Sequence, residues 1–155
     1  MNSFIPERLH TNAAMWRTQV SLLCFIAALF AGPYALAGQT GYNGIKSAAT
    51  THKLTKANAL KLIDIRRPSE WRQTGVGQSA HKISMHQSGF LQQVLALVEG
   101  DRSQPIALIC ARGNRSAWMK DQLNARGFTN VTNVSEGMLG SQAGPGWLKR
   151  NLPTK

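Results

Sequence analysis

P-I-A-L-I-C-A-R-G-N-R-S, residues Pro105 to Ser116, is the most informative run of the chain. Its first half is short, apolar and β-branched, which predicts a buried parallel strand; its second half opens with a cysteine and continues through polar, cationic and glycine residues. Ser116 to Arg126 then carries Ala117, Trp118, Leu123 and Ala125 among polar residues and stops at Gly127, as a helix does. The segment therefore predicts strand, tight loop and helix, with a thiol where the strand ends.

That geometry has a chemical consequence. Loop amides and the positive end of the following helix point into the space beside Cys110, where anions and thiolates are both stabilised. Arg112 and Arg115 add two permanent charges. A cysteine at a strand end is often only a small hydrophobe, but two arginines, a glycine and a helix start within six residues are not explained by packing. Cys110 reads as a nucleophile in an anion-binding cradle.

The string Cys110-Ala111-Arg112-Gly113-Asn114-Arg115-Ser116 resembles the active-site loop of single-domain rhodanese-like sulfurtransferases, which carry a C-x-x-G-x-R-S type pattern. Four residues separate Cys110 from Arg115, whereas the phosphatases that share the fold have a loop one residue longer. The resemblance implies a sulfurtransferase using Cys110 as catalytic residue, with Ala111, Arg112, Gly113, Asn114, Arg115 and Ser116 binding the substrate. Other blocks extend it. L-I-D-I-R followed by R-P-S-E-W resembles the family's first block, in which the counterparts of Asp64 and Arg66 lie near the catalytic loop as supporting residues. G-F-T-N-V-T-N-V-S-E-G-M and the tail G-W-x-x-x-x-L-P resemble its later blocks. Gly75 to Met85 departs from the family's G-H-I-x-G-A-x-x-I block, since no histidine follows Gly75. The resemblance covers about 100 residues.

Length fits one domain plus an extension, divided as residues 1–37, 38–52 and 53–155. Val20 to Ala31 is an apolar core preceded by Arg17, and Ala35-Leu36-Ala37 has the small residues that a signal peptidase reads, which predicts a secretory signal peptide cleaved after Ala37. Met1 and Met15 are both possible starts. The core is shorter than the roughly 20 residues of a membrane span, so a membrane is expected only through an uncleaved leader. Cys24 lacks the small residue that precedes a lipidated cysteine. Export places the chain in the periplasm or outside the cell, and leader removal leaves one of the two cysteines, Cys110, so no intramolecular disulfide can form. A solitary thiol in an oxidising compartment points to a use for its reactivity.

The chain carries a net charge of +11; the leader holds Arg8, Arg17 and Glu7, which leaves 16 basic and 6 acidic residues and a net +10. The basic residues are scattered without interleaved aromatics, so no nucleic-acid partner is expected. A positive field does draw small anions. Residues 38–52, rich in Gly, Ser, Thr and Ala, read as a flexible linker, with a weak helical turn at Thr55 to Ala59 capped by Thr55. Strands are expected at Leu60 to Ile65, Ala80 to Met85, Pro105 to Ile109 and around Val131 to Val134. Helices are expected at Pro68, over Gln87 to Glu99, and after Cys110.

Alternation of this kind implies a doubly wound parallel α/β sheet of about five strands with helices on both faces and the site at the strands' carboxyl ends. Asp64 is expected to be satisfied by backbone amides or by Arg115, Trp71 to be core, and His81 and His86 to have surface or strand-end roles. No metal or other cofactor is implied, one cysteine and scattered histidines giving no ligand spacing. The expected partners are a small anionic sulfur donor such as thiosulfate and a cyanide or thiol acceptor, which could be a protein. A persulfide-carrying module without turnover, and a phosphatase or arsenate reductase, are the other readings.

Overall fold

The computed structural model describes residues 47–155. The elements are α1 (Ala48–Lys56), β1 (Lys61–Asp64), α2 (Pro68–Thr74), β2 (His81–Lys82), α3 (Phe90–Leu97), β3 (Ile106–Ile109), α4 (Asn114–Asn124), β4 (Val131–Asn133) and α5 (Gly146–Lys149). Four strands form one parallel sheet in the order β2-β1-β3-β4. The fold is α/β with helices flanking the sheet; the expected count of about five strands is corrected to four among the described residues.

The apolar runs are buried on both faces, as parallel strands require. Ile63, Ile106 and Leu108 join Phe90, Val94, Met119 and Leu123 beneath α3 and α4. Leu62, Ala107 and Ile109 point the other way, toward Ala48, Met138 and Trp147. The period-two alternation of side chains thus feeds two separate cores. Chain direction across the sheet reverses between β1 and β3, and at that switch point Asp64 lies in register with Ile109, one residue before Cys110.

Two expectations are corrected. The linker expected over 38–52 ends by Ser47, whose hydroxyl accepts the Thr50 N–H at 3.0 Å and caps α1; residues 38–46, like the leader, lie outside the described residues. Thr55 is accordingly not a cap. It is buried inside α1, with its hydroxyl on the Thr51 carbonyl at 2.7 Å. Threonines that bond back to the preceding turn, and Ala48 packed in the cluster of Trp147, hold a helix that has no apolar stripe to announce it. The second strand shrinks to His81 and Lys82, both exposed at the sheet edge, where short strands are the rule. The chain beyond still follows β1, with Ile83 N–H on the Asp64 carbonyl at 3.3 Å and Met85 N–H on that of Ile65 at 3.1 Å.

Candidate active site

The site begins at the end of β3, all four residues of which are buried. The turn after β4 then seizes the chain: Met138 N–H donates to the Cys110 carbonyl and Leu139 N–H to that of Ala111, both at 2.9 Å. This close approach explains Gly137. It sits at φ +65°, and a β-carbon there would collide with the Ala111 and Arg112 backbone. Gly113, at φ +88°, lies equally close to the Ser135 carbonyl. With two loop carbonyls held outward by this turn, the loop can direct amides inward.

Those donors reach the sulfur. Gly113 N–H donates to Cys110 Sγ at 3.1 Å, and the Ser116 hydroxyl lies 3.3 Å from Sγ and 3.1 Å from the Gly113 carbonyl. One hydroxyl proton serves one acceptor at a time, so Ser116 can turn toward sulfur as charge grows there. Asn114, Arg115 and Ser116 form the first turn of α4, whose amides have no intrahelical partner and carry the positive end of the helix dipole. Cys110 itself is 1% exposed.

Arg115 leaves that turn sideways. Its guanidinium forms a forked ion pair with Glu70 of α2, at 2.8 and 2.6 Å, and Glu70 also accepts the Arg67 N–H at 3.0 Å. The Arg115 fork, followed by the Arg67 amide, outweighs partial burial and holds the Glu70 carboxyl at about 2. Arg115 is pushed up, by Glu70 first and by the nearby Cys110 side chain as well. Of the two partners expected for Asp64, a backbone amide is found and Arg115 is not: Asp64 is buried and takes the Arg66 backbone N–H at 3.1 Å and the Arg66 guanidinium at 2.7 to 3.0 Å. Arg66 also donates to Thr74 Oγ1 at 2.8 Å and the Gly75 carbonyl at 2.7 Å. Asp64 and Arg66 therefore anchor the C-terminal end of the helix that carries Glu70.

Arg112 and Asn114 are exposed, and Arg112 has no ion pair among the described residues. His86 is exposed on the rim; burial lowers it, Arg67 and Arg115 lower it further, and Glu70 opposes them. His81 lies on edge strand β2, lowered by burial and by Lys61 and Lys155. Neither ring has a hydrogen bond to Cys110 among those of the described residues. Trp71 is half-buried. Sequence reasoning missed Glu70 and Gly137 as parts of the site; E70 three residues into a Pro-started helix was a capping signal, but its partner lies 45 residues away.

A strand-loop-helix cradle around one buried thiol, at the switch point of a four-stranded parallel sheet, defines a class, and the family model for the rhodanese-like domain matches residues 47–143. The chain belongs to that family. An uncharacterized protein of Rickettsia prowazekii is 27% identical over 115 residues, covering 70% of this chain and 94% of that one. The polysulfide-sulfur transferase homodimer from Wolinella succinogenes is similar with a TM-score of 0.51 and 26% identity over 70% of this chain and 75% of that one. The rhodanese-like domain of an Anabaena protein gives a TM-score of 0.55 at 17% identity over 70% and 76%, a likeness of fold. No helix among the described residues is long and apolar enough to cross a membrane.

Proposed function

We propose that the chain is a sulfurtransferase that carries sulfane sulfur as a persulfide on Cys110. The observation that carries this reading is the pair of donors, Gly113 N–H and Ser116 O–H, aimed at the only sulfur of a four-residue cradle. In the first step the Cys110 thiolate attacks the outer sulfur of thiosulfate; the S–S bond to the sulfonate breaks, sulfite leaves with the electron pair, and Cys110 becomes a persulfide anion. In the second, cyanide or a thiolate attacks the terminal sulfur, and the Cys110 thiolate is released with its electron pair. The amides from Ala111 to Ser116 stabilise the anionic sulfur in each step, as an oxyanion hole stabilises oxygen, and Arg112 meets the anionic donor.

A linear polysulfide, the donor class named for the Wolinella protein, fits the same chemistry. Export by residues 1–37, to the periplasm or beyond, is part of the proposal, supported by the apolar run Val20 to Ala31 and the small residues of Ala35-Leu36-Ala37. Burial of Cys110 to 1% exposure favours a second reading, a carrier that holds a persulfide without turning over thiosulfate. Incubating the purified protein with thiosulfate and weighing it intact tests the first reading. A gain of one sulfur atom, absent in Cys110→Ser, is expected; no gain sinks the enzyme reading, and a gain only with polysulfide leaves the carrier.

A further inference from the structure

A cavity of about 280 Å³ opens at the end of the sheet opposite Cys110. It lies where α1 ends and where β1, β2 and β3 begin, at Lys56, Lys61, His81 and Pro105. Because the strands are parallel, their amino ends gather there as their carboxyl ends gather at the cradle. Pro105 and Cys110 are separated along β3 by about 16 Å, at roughly 3.3 Å per residue. The walls carry Lys56, Lys61 and His81 beside the polar groups of Asn58, Ser79 and Gln104, and no carboxylate among the described residues. Lys155 is near as well: burial lowers His81 first, and Lys61 and Lys155 lower it further. None of Lys56, Lys61 and Lys155 has an ion pair among the described residues, and Lys61 is half-buried. Withdrawing an ammonium group from water without a partner is costly.

The carbonyl end of α1 accounts for part of this charge and not for the rest. Its last carbonyls are already engaged, with Asn58 N–H on Thr55 at 3.0 Å and Ala59 N–H on Leu54 at 2.9 Å, the pairing of a helix stop that glycine usually makes. About half a negative charge remains at that end, against three ammonium groups. Asn58 makes the stop at φ +54°, where glycine is the less strained residue, and so leaves an amide side chain in the cavity wall. We propose that the cavity binds a small phosphorylated molecule, with its phosphoryl dianion among Lys56, Lys61 and Lys155 and a hydroxylated body against Asn58, Ser79 and Gln104. The volume lies near the roughly 300 Å³ at which pockets for organic ligands begin, so an organic phosphate fits better than a bare ion. His81 is the only ring of the lining, which leaves a nucleobase without a stacking platform. The exposed large apolar side chains, Trp118 and Leu139, are no part of it, so a free ester fits better than a lipid headgroup. The inference is independent of the sulfur-transfer reading.

The test titrates the purified protein with ribose 5-phosphate, ribose and inorganic phosphate, reading heat by calorimetry and the His81 ring by proton NMR, with His81→Gln to assign its signal. Ribose 5-phosphate is expected to bind at least about tenfold more tightly than inorganic phosphate, and ribose not at all, since charged and neutral hydrogen bonds both contribute. Its phosphoryl group should also raise the His81 pKa, because an anion there opposes Lys61 and Lys155. Lys61→Met, and Lys56→Met on the exposed end of α1, should each weaken binding about tenfold by removing one charged contact. Arg112→Ala, at the other end of the strands, should bind as the parent does. Loss of binding in Arg112→Ala would assign the anion to the Cys110 cradle and overturn the proposal. Equal binding of ribose 5-phosphate and inorganic phosphate, a His81 signal that does not respond, indifference to both lysine variants, or lysine-dependent binding to phosphatidic acid vesicles in place of ribose 5-phosphate would overturn it too.

Discussion

Glu70→Gln tests whether the cradle is braced from α2. The substitution keeps the side chain's size and one acceptor for Arg115 but removes the charge that draws the guanidinium. The fall of the Glu70 carboxyl from 4.5 to about 2 corresponds to roughly 3 kcal/mol at about 1.4 kcal/mol per pH unit. The paired side chains are 24% and 30% exposed, so solvent screening reduces the stabilisation to about 1–2 kcal/mol. Because the folded carboxyl titrates below the unfolded one, the contribution is complete above pH 4.5 and is lost as pH falls toward 2. Thermal unfolding followed by circular dichroism should show Glu70→Gln melting about 5–10 °C lower at pH 7, a difference that closes between pH 4.5 and 2. A double-mutant cycle with Arg115→Met should give a coupling of about 1–2 kcal/mol. Coupling below about 0.5 kcal/mol, or a melting difference that persists at pH 2, would refute the brace.

Gly137→Ala puts a β-carbon into the Ala111 backbone at a positive φ, and is expected to cost about 2–4 kcal/mol in denaturant unfolding and to slow persulfide formation. Arg112→Ala removes an exposed side chain without an ion pair, so stability should stay within about 0.5 kcal/mol. The KM for thiosulfate should nevertheless rise roughly tenfold at low salt, and rates for the parent should fall with ionic strength. Ser47→Ala removes the α1 cap and should lower stability by about 1 kcal/mol, with persulfide formation unchanged in the mass assay.

β3, the Cys110 loop and α4 were legible because one short run holds an apolar strand, a cysteine, a glycine at positive φ and a helix start. β1 and β4 were legible for a similar reason, their apolar content. The first helix was not: Ala48 to Lys56 has three threonines and one large apolar residue, Leu54, and is held by buried hydroxyls and by packing in the Trp147 cluster, which no local pattern reveals. Backbone amides and Arg115 were both open to Asp64 from the sequence, because the ends of neighbouring parallel strands come close whatever their order in the chain. The fork from Arg66, two residues along the same strand end, claims Asp64 first, which leaves Arg115 to a carboxylate on another helix. Ser135 to Gly137 could be read as a turn, but not as the clamp on the Cys110 loop, since that depends on how closely two backbones approach.

The charge arithmetic of the cradle sets a last expectation. Arg115 occupies the first turn of α4, where the helix dipole disfavours a cation, and Glu70 occupies the first turn of α2, where it favours an anion. The ion pair therefore places Arg115 where it would otherwise be unfavourable and cancels its charge at short range. In the sulfur-transfer reading, the field offered to an anionic donor then comes from the α4 amides and the unpaired Arg112, with Arg115 acting as a positioning residue for the loop. Glu70→Gln uncovers one positive charge beside the sulfur while loosening the loop that aims Gly113 N–H and Ser116 O–H at it. It should lower the KM for thiosulfate and lower kcat together, a split that loss of stability alone does not produce. An unchanged KM would mean that the freed guanidinium does not reach the donor, and that the four-residue cradle binds its anion through amides and Arg112 alone.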